Sequence, residues 1–561
     1  MNKFILFILL ICLTTVSCRK DTTSDNRIFN INIGTGIETL EPVMSNSATS
    51  IWGVSFIMEG LVAFDRNNKL QPLIAKNWEI SPDAITYTFH LRDNVFFQND
   101  DCFKDAKGKG RKVTAMDFKY CLERVNDPKS KTRGQWVFRD KIKGTKEFID
   151  SRSGKSSEAV NDISGIKALN DSTLQIQLYN PFSPFLSLLT MTYAFVYPKE
   201  AVEMYGEKFG ENPVGSGPFQ FVSWGHDRSL VLEKNLTYWQ KDESGQRLPY
   251  LDGINITFTQ SSETEFLDFQ NNKYDFHTPS SETFDVLTDE SGNLKDVGSK
   301  SFKLVKQPWL QTVFFGMMQD KNLPAGKTSP FVNNKKLRQA LNYGVDKEKI
   351  VKYVLKGRGV PALNGPVPPG MPGFNPSIKG YEYDKEKAKQ LLKEAGYPGG
   401  KGLSLTLVCG NEEIQRSIAI AFQQQMQELG IEIKIEQLLQ ATLISKQEGG
   451  EFPFWRASWG ADYYDAENFM ALFYSKNITP AGPNRIGYSN PEIDELYTSS
   501  LKETDDAKRN ELYDKMQSIV TEDAAWLTLY YNQQVYLLSD KIEGFYIDGL
   551  NIINLKYTKK R

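Results

Sequence analysis

Histidine and cysteine are scarce in this chain, and neither sign of charge is in excess. The histidines among the 561 residues are His90, His226 and His277, which are widely separated, and no HExxH pattern occurs. The three cysteines beyond residue 18 do not have the spacing of a zinc site. These absences weigh against metal and haem sites, and no cofactor is expected.

The charge balance argues against nucleic acid as a partner. The chain has 67 Lys and Arg residues against 69 Asp and Glu residues, a net charge of -2, and no long basic run. Binding to nucleic acid depends on a basic patch that neutralises phosphates. Apolar residues make up 40% of the chain and charged residues 24%, as in ordinary globular proteins. Because 561 residues exceed what one hydrophobic core usually serves, two or three lobes are expected.

Motifs typical of enzymes are incomplete. AGKT at 325–328 ends like a phosphate-binding loop, but Lys321 stands where the first glycine is required. The Gly-x-Gly pairs at 34–36 and 108–110 lack the third glycine of a dinucleotide-binding fingerprint. VGSGP at 214–218 lacks the residue that separates the serine from each glycine in a nucleophile elbow. The sequence therefore gives no positive reason to expect an enzyme.

The N-terminus has the pattern of an export signal. Lys3 precedes an apolar run from Phe4 to Leu13, and ten apolar residues are too few to span a bilayer as a helix. The segment ending in Thr15-Val16-Ser17-Cys18 resembles a bacterial lipoprotein signal, in which the cysteine is acylated and becomes the first mature residue. The resemblance implies a signal peptide at 1–17 and a lipidated tether at 18–26. The alternative is a plain secretory signal with an incidental cysteine.

The remaining cysteines are Cys102, Cys121 and Cys409. An oxidising compartment permits a Cys102–Cys121 disulfide, with Cys409 buried as a small apolar residue. The sequence leaves that disulfide open.

Secondary structure is indicated most clearly where apolar residues follow one period. IFNINIG, LEKNLTYW and INITF are predicted as strands, and WEISPDAITYTFHLRDNVFF as strand, turn and strand. Thr114 and Asp117 begin a helix with the pattern of a capping box. A second helix is predicted from Asp384 to Gly396. The Pro-rich segment 359–376 is predicted to be an ordered surface loop rather than a linker between domains.

A βαβ unit is predicted between residues 403 and 438. Strand LSLTLVCG is followed by helix EEIQRSIAIAFQQQMQELG and by strand IEIKIEQL. Gly430 stands where a helix C-cap glycine belongs. The order implies two parallel strands joined by a right-handed crossover, and hence an α/β fold.

The segment FWRASWGADYYDAENF at 454–469 combines charges with aromatic rings in an unusual way. Its beginning is predicted to be a strand, in which Arg456, Ser458, Gly460 and Asp462 share one face. The Arg456 and Asp462 backbones are then roughly 20 Å apart, with nothing bulky between them. The alternative is that both charges are solvated on an edge strand.

An ordered series of motifs across the chain carries a resemblance to a known family. These motifs are EGLVAFD, PLIAKNWEIS, TYTFHLRDNVFF, VTAMDFKYCLERVNDP, NPVGSGPFQF, LVLEKNLTYW, LRQALNYGVDKEKIV, YDKEKAKQLLKEAGYP and WGADYYDAENF. The chain resembles the extracytoplasmic solute-binding proteins of peptide ABC importers, the oligopeptide- and dipeptide-binding family. The resemblance implies a two-lobed α/β periplasmic-binding-protein fold with a hinge and an inserted extra domain. The implied segments are 27–58, 183–311 and 532–561 for the first lobe, 59–182 for the insert and 312–531 for the second lobe.

The resemblance also implies a ligand site on the strand at 454–460. Asp462, in the motif that begins with Trp459, matches the aspartate that takes the ligand's α-ammonium group. Arg456 matches an arginine near the ligand carboxylate in oligopeptide-binding members. Ser458 and Gly460 occupy the places whose main-chain groups pair with an extended peptide. Some members have a disulfide-forming cysteine where Gly460 stands, so that disulfide cannot exist here.

Further site residues follow from the same resemblance. The segment SNSATS at 45–50 matches a ligand-facing loop, with Ser47 and Ala48 at the ligand and main-chain contact from Ala48. Trp136 lies near the position of a residue that covers the ligand. Lys321 and Lys327 are two candidates for a further basic residue at the ligand carboxylate, and the choice between them stays open, as does ligand length.

The function implied is capture of extended short peptides and their delivery to an ABC permease. The protein is expected to be a monomer in the cell envelope, facing the periplasm and held at a membrane by the lipid on Cys18. The sequence does not distinguish the inner from the outer membrane. Because one fold serves several solutes, the alternatives are a nickel chelate, haem or a sugar as ligand, or a role as an envelope sensor or chaperone.

Overall fold

The structure is a computed structural model that describes residues 27–295 and 301–561. The predicted signal peptide, the predicted lipidation site at Cys18 and the tether to residue 26 lie outside the described residues. Within the described part of the chain, no helix combines the length and the apolar character needed to cross a membrane.

The strands and helices alternate along most of the chain. The strands are β1 (Ile28–Asn32), β2 (Val62–Phe64), β3 (Leu70–Pro72), β4 (Ala75–Ile80), β5 (Thr86–Leu91), β6 (Ile166–Asn170), β7 (Thr173–Gln177), β8 (Phe219–Gly225), β9 (Ser229–Lys234), β10 (Gly253–Thr257), β11 (Phe276–His277), β12 (Phe302–Met317), β13 (Gly359–Pro361), β14 (Ser404–Gly410), β15 (Glu432–Leu438), β16 (Phe454–Gly460), β17 (Trp526–Ser539), β18 (Ile542–Glu543), β19 (Tyr546–Ile547), β20 (Ile553–Asn554) and β21 (Lys559–Lys560). The helices are α1 (Ala48–Ile57), α2 (Ala115–Asn126), α3 (Gln135–Phe138), α4 (Thr145–Arg152), α5 (Phe185–Leu188), α6 (Lys199–Tyr205), α7 (Ser262–Gln270), α8 (Ser281–Leu287), α9 (Lys335–Gly344), α10 (Lys347–Lys349), α11 (Lys385–Glu394), α12 (Glu413–Gln427), α13 (Gln440–Glu448), α14 (Glu467–Met470), α15 (Pro491–Ser500) and α16 (Asp506–Glu522).

One mixed sheet runs through both lobes in the order β15-β14-β16-β12-β17-β11-β1-β10-β9-β8. The long strands β12 and β17 pair antiparallel from Phe302–Ser539 to Gly316–Trp526, with a register shift between Pro308 and Thr312. On one side of this pair, β1 and β10 belong to one hydrophobic core. On the other side, β14 and α12 belong to a separate core. Cores on either side of two continuous strands make the two-lobed α/β fold that the sequence predicts.

A small antiparallel sheet of order β4-β5-β7-β6 lies between β1 and β8 in the chain. The predicted strand, turn and strand at its start are confirmed as β4 and β5. The predicted capping box at the start of α2 is confirmed, since Thr114 and Asp117 each bond the other's main chain. The apolar face of α2 packs on this sheet.

The predicted βαβ unit is confirmed. β14 and β15 are parallel, with Leu405 opposite Ile433 and Leu407 opposite Ile435. The connecting helix α12 packs Phe422 into the core. Gly430 has φ of +78°, a left-handed conformation that glycine adopts without a Cβ clash.

Two expectations need correction. In LEKNLTYW the strand ends at Lys234, because the side chain of Asn235 accepts the N–H of Thr237 and forms a turn. The segment 359–376 is not only a surface loop: it begins as β13 on β17 and buries Val367 and Met371.

The sequence left the pairing of Cys102 with Cys121 open, and the structure answers it. Cys102, Cys121 and Cys409 are all buried free thiols, so the structure contains no Cys102–Cys121 disulfide. The Cys121 thiol instead donates to the carbonyl of Tyr197 at 3.4 Å. Burial raises the pKa of both Cys102 and Cys121, which keeps these thiols protonated.

Candidate functional site

The strand β16 has one paired edge and one largely open edge. Along the first edge it pairs with β12 from Met317–Phe454 to Gln311–Gly460. Along the second edge, a single pairing with β14 joins Val408 to Trp455. Within the described ranges, no strand pairs with that edge from Arg456 to Gly460. An open edge of this kind accepts an extended peptide as an additional strand.

Two hydrogen bonds show which main-chain groups face the open edge. The N–H of Ala461 donates to Leu310 O on the β12 side at 2.8 Å. The carbonyl of Arg456 accepts from Gln447 Nε2 on the other side, at 3.2 Å. Because successive residues of a strand direct these groups to opposite edges, Ser458 and Gly460 face the open edge, as Arg456 does. These are the two positions that the sequence predicts for peptide pairing.

Asp462 follows the strand and is held by Asn468. Asn468 Nδ2 donates to Asp462 Oδ2 at 3.3 Å, and Asn468 Oδ1 accepts the N–H of Asp462 at 3.3 Å and Nε1 of Trp459 at 2.9 Å. Asp462 is exposed at the surface of the site, although many protein atoms surround it at longer range. Burial therefore raises the pKa of its carboxyl group, and the bond from Asn468 opposes the rise. Among the salt bridges of the described residues, none includes Asp462.

Arg456 lies at the other end of the open edge, and it also lacks a carboxylate partner among the residues that the structure describes. Its Nε is buried without a hydrogen-bond partner. Its positive charge lies near Tyr530 and Cys409, where it opposes the rise in pKa that burial gives each of those groups. A half-buried guanidinium without an anion favours a ligand that carries one.

The other residues that the sequence predicts for the site lie at the start of α1 and on α3. Ser47 is the N-cap of α1, where its side chain accepts the N–H of Ser50 at 3.3 Å. Ala48 is exposed and is the first helical residue, so the segment 45–50 is half loop and half helix. Because the first N–H groups of a helix have no partner within it, the Ala48 N–H is available to a ligand. Trp136, on α3, is 50% exposed.

Tyr193 connects the two sides of the site. Burial raises the pKa of its hydroxyl, and the nearby charge of Asp462 raises that pKa further. Gly134 lies so close that a Cβ on it would be 2.3 Å from the Tyr193 ring. Arg133, next in the chain, donates to the side chain of Asn46. Tyr193 thus links Asp462 to α3 and to the segment that precedes α1.

Direct contacts hold the lobes together beside the site. The N–H and the Oγ of Ser183 donate to Leu501 O at 3.0 and 3.1 Å. Ser187 Oγ donates to Tyr464 O at 3.5 Å, two residues after Asp462. These bonds join the two lobes directly beside the site.

The two lysine candidates lie apart from Arg456, and three residues near the site were not predicted. Lys321 and Lys327 are both exposed in a turn where the N–H of Ala325 bonds Gly450 O, and no contact links them to Arg456. Sequence reasoning missed Asn468, Tyr193 and Gln447, which contact or face the predicted residues. Only Asn468 carried a signal in the sequence, since it lies within the segment 454–469, six residues after Asp462.

Comparisons with known proteins identify the family and the fold. The profile of the bacterial extracellular solute-binding proteins, family 5, middle region, matches residues 69–480. The oligopeptide-binding protein OppA of Bacillus subtilis is 29% identical over 543 residues, covering 95% of this chain and 92% of that protein. The structure of HbpA2 from Haemophilus parasuis has a TM-score of 0.80 at 22% identity, covering 95% of this chain and 100% of that chain.

A peptide complex is among the similar structures. DppA from Helicobacter pylori, an ABC transporter-associated periplasmic binding protein in complex with the peptide STSA, has a TM-score of 0.69 at 25% identity. The alignment covers 95% of this chain and 98% of that chain. The two-lobed architecture is therefore the periplasmic-binding-protein fold. With its profile matched over residues 69–480, this chain belongs to the bacterial extracellular solute-binding proteins of family 5.

Proposed function

We propose that this protein captures short peptides in extended form between its lobes and delivers them to an ABC permease. The observation that carries the proposal is the open edge of β16, with an unpaired carboxylate at Asp462 and an unpaired guanidinium at Arg456. A zwitterionic peptide supplies the matching charges and a backbone that pairs with Ser458 and Gly460. The names of OppA and DppA, as oligopeptide-binding and peptide-bound relatives, support the same ligand class.

Each site residue has a proposed role. Asp462, oriented by Asn468 and flanked by Trp459, takes the ligand's ammonium group. Arg456 takes its carboxylate. Ser47 and Ala48 of the first lobe contact the peptide main chain through the start of α1, and Trp136 of the insert covers the bound ligand. The proposed division remains 27–58, 183–311 and 532–561 for the first lobe, 59–182 for the insert and 312–531 for the second lobe.

The cellular setting follows from the family and from the N-terminal sequence. We propose a non-catalytic monomer that is exported, cleaved before Cys18 and held at a membrane by a lipid on that residue, facing the periplasm. No specific observation favours a nickel chelate, haem or a sugar as ligand, or a sensor or chaperone role. Opposite charges at the two ends of a strand edge suit a peptide better than any of these.

Calorimetry with matched peptides tests the ligand class. Trialanine with free termini should bind ligand-free protein, whereas N-acetyl-trialanine should bind at least about 30-fold more weakly, because it has no ammonium group for Asp462. Native mass spectrometry of the freshly purified protein should show retained peptides. Equal affinities for the free and acetylated peptides, together with a retained ligand that is not a peptide, would refute the proposal.

A further inference from the structure

We infer that the open edge of β16 limits the length of the ligand to three residues of extended peptide. The limit arises because side-chain amides cap the edge at both ends. The inference rests on the proposed function and adds the ligand length to it. The two caps are Gln447 at the Arg456 end and Asn468 at the Asp462 end.

The first cap comes from the last turn of α13. Gln447 Nε2 donates to the carbonyl of Arg456 at 3.2 Å, and that carbonyl faces the open edge. Gln447 is 4% exposed, and its own oxygen accepts from Arg485 Nη1 at 3.2 Å. Arg485 is in turn held by Glu448, through Nη2 and Oε1 at 2.7 Å. A buried, doubly bonded amide therefore occupies the place where a longer peptide would pair with Arg456.

The second cap lies where β16 ends. The N–H of Asp462 donates to Asn468 Oδ1 at 3.3 Å, so it is not available to a ligand strand. Asn468 is 5% exposed and is also held by the Trp459 indole. Pairing positions on the open edge therefore lie between Arg456 and Asp462, at Ser458 and Gly460.

The number of ligand residues follows from this spacing. With its ammonium group at Asp462 and its carboxylate toward Arg456, the peptide runs antiparallel to β16. In an antiparallel ladder, positions two residues apart on one strand pair with positions two residues apart on the other. The first ligand residue then pairs with Gly460 and the third with Ser458. A fifth residue would need the Arg456 carbonyl, which Gln447 occupies, whereas the carboxylate of a tripeptide ends within reach of the Arg456 side chain.

Gln447 acts in this scheme as a positioning residue that excludes the longer ligand. Gln447→Met removes the amide that holds this side chain between Arg456 and Arg485, and a longer ligand can displace the flexible, unbonded thioether and reach the Arg456 carbonyl. The matched control is Gln423→Met. Gln423 Nε2 also caps a main-chain carbonyl of this sheet, that of Ile433 at 2.6 Å, but on β15 and away from the open edge.

Calorimetry with trialanine and pentaalanine on the purified, ligand-free protein tests the inference. In the wild-type protein and in Gln423→Met, trialanine should bind at least about tenfold more tightly than pentaalanine. In Gln447→Met, that ratio should fall below about threefold through a gain for pentaalanine, while trialanine affinity stays the same. Thermal unfolding of each variant checks that it is folded.

Separate outcomes overturn the length limit and the function. Wild-type protein that binds pentaalanine as tightly as trialanine contradicts the length limit and leaves peptide binding intact. An unchanged ratio in folded Gln447→Met removes Gln447 from the mechanism. If neither peptide binds the wild-type protein at all, the proposed function fails and the inference fails with it. Should Gln447→Met not fold, the wild-type ratio decides the length limit alone.

Discussion

Replacing Asp462 with asparagine removes a charge from the proposed ammonium pocket with almost no change in volume. The side chain of Asn468 bonds both the main-chain N–H and the side-chain oxygen of Asp462. An asparagine at position 462 can keep both of these hydrogen bonds. The substitution therefore leaves the shape of the pocket intact and tests the charge alone. Asp101→Asn is a suitable control, because Asp101 is exposed and lies in the loop before α2.

The expected loss of affinity follows from the surroundings of the carboxylate. Removing one partner of a buried, hydrogen-bonded charge pair costs about 2–5 kcal/mol, mostly from the charge left unmatched. Because Asp462 is partly open to solvent, water can screen that charge, and the lower part of the range applies. We expect a loss of roughly 2–3 kcal/mol, or about 30- to 150-fold in the dissociation constant of trialanine.

The same substitution should stabilise the protein without ligand. Burial raises the pKa of Asp462 above that of the unfolded chain, so the folded state binds the proton more tightly. Stability from this group is then present at low pH and is lost as pH rises through the raised pKa. At neutral pH Asp462→Asn removes the cost of holding this charge, which solvent keeps small, and the ligand-free melting temperature should rise slightly.

Calorimetry and thermal unfolding at neutral pH measure both effects. In Asp462→Asn we expect weaker trialanine binding together with a higher melting temperature without ligand. In Asp101→Asn we expect neither change. Unchanged affinity in Asp462→Asn would refute the role of this residue. A lower ligand-free melting temperature in Asp462→Asn would refute the argument that the ionised carboxylate of Asp462 destabilises the folded protein.

Three further predictions concern the hinge, the core and the N-terminus. Asp548 accepts two main-chain N–H groups beside the long strands, and burial raises its pKa to about 7. Stability should fall by at most about 4 kcal/mol as pH rises through that value, and chemical denaturation should show the loss in the wild-type protein but not in Asp548→Asn. Phe422→Ala should cost about 3–5 kcal/mol in the same assay, because Phe422 is fully buried against two other phenylalanine rings, and a loss below 1 kcal/mol would contradict that packing. Cys18→Ala should leave the protein as uncleaved precursor or release it, and membrane fractionation with wild-type processing would contradict the lipid anchor.

Local patterns in the sequence were sufficient for the elements that they predict. The βαβ unit shows its periods of two and of 3.6 residues plainly, and the strand at Phe454–Gly460 follows from alternation. The capping box at Thr114 needs only residues within one helical turn. Each of these features depends on neighbours in the chain, so the sequence was enough.

Features that depend on distant partners were not predictable in this way. The strand-like LEKNLTYW stops at Lys234 because of a turn at Asn235, and the 359–376 segment is buried because β17 provides a pairing edge. Cys102 and Cys121 could have paired, yet each is packed separately. Gln447 comes to the site only because α13 ends beside β16, a contact that no spacing in the sequence indicates.

The central claim is that a peptide adds to β16 as a strand, and a pair of methylated peptides tests it most directly. In a tripeptide paired as proposed, the N–H of the third residue meets Ser458, whereas the N–H of the second residue points away from β16. Trialanine methylated on the second nitrogen should therefore keep most of its affinity, and trialanine methylated on the third nitrogen should lose it.

Small-angle scattering of the same samples measures whether the two lobes close on the ligand. A ligand that contacts both lobes shifts the population toward closure, so trialanine and its second-nitrogen derivative should lower the radius of gyration. At about 100 times its dissociation constant, each should also add roughly 2.7 kcal/mol of stability. The third-nitrogen derivative should do neither. If both methylated peptides bind equally well and the radius of gyration stays fixed, peptide capture by strand addition is contradicted.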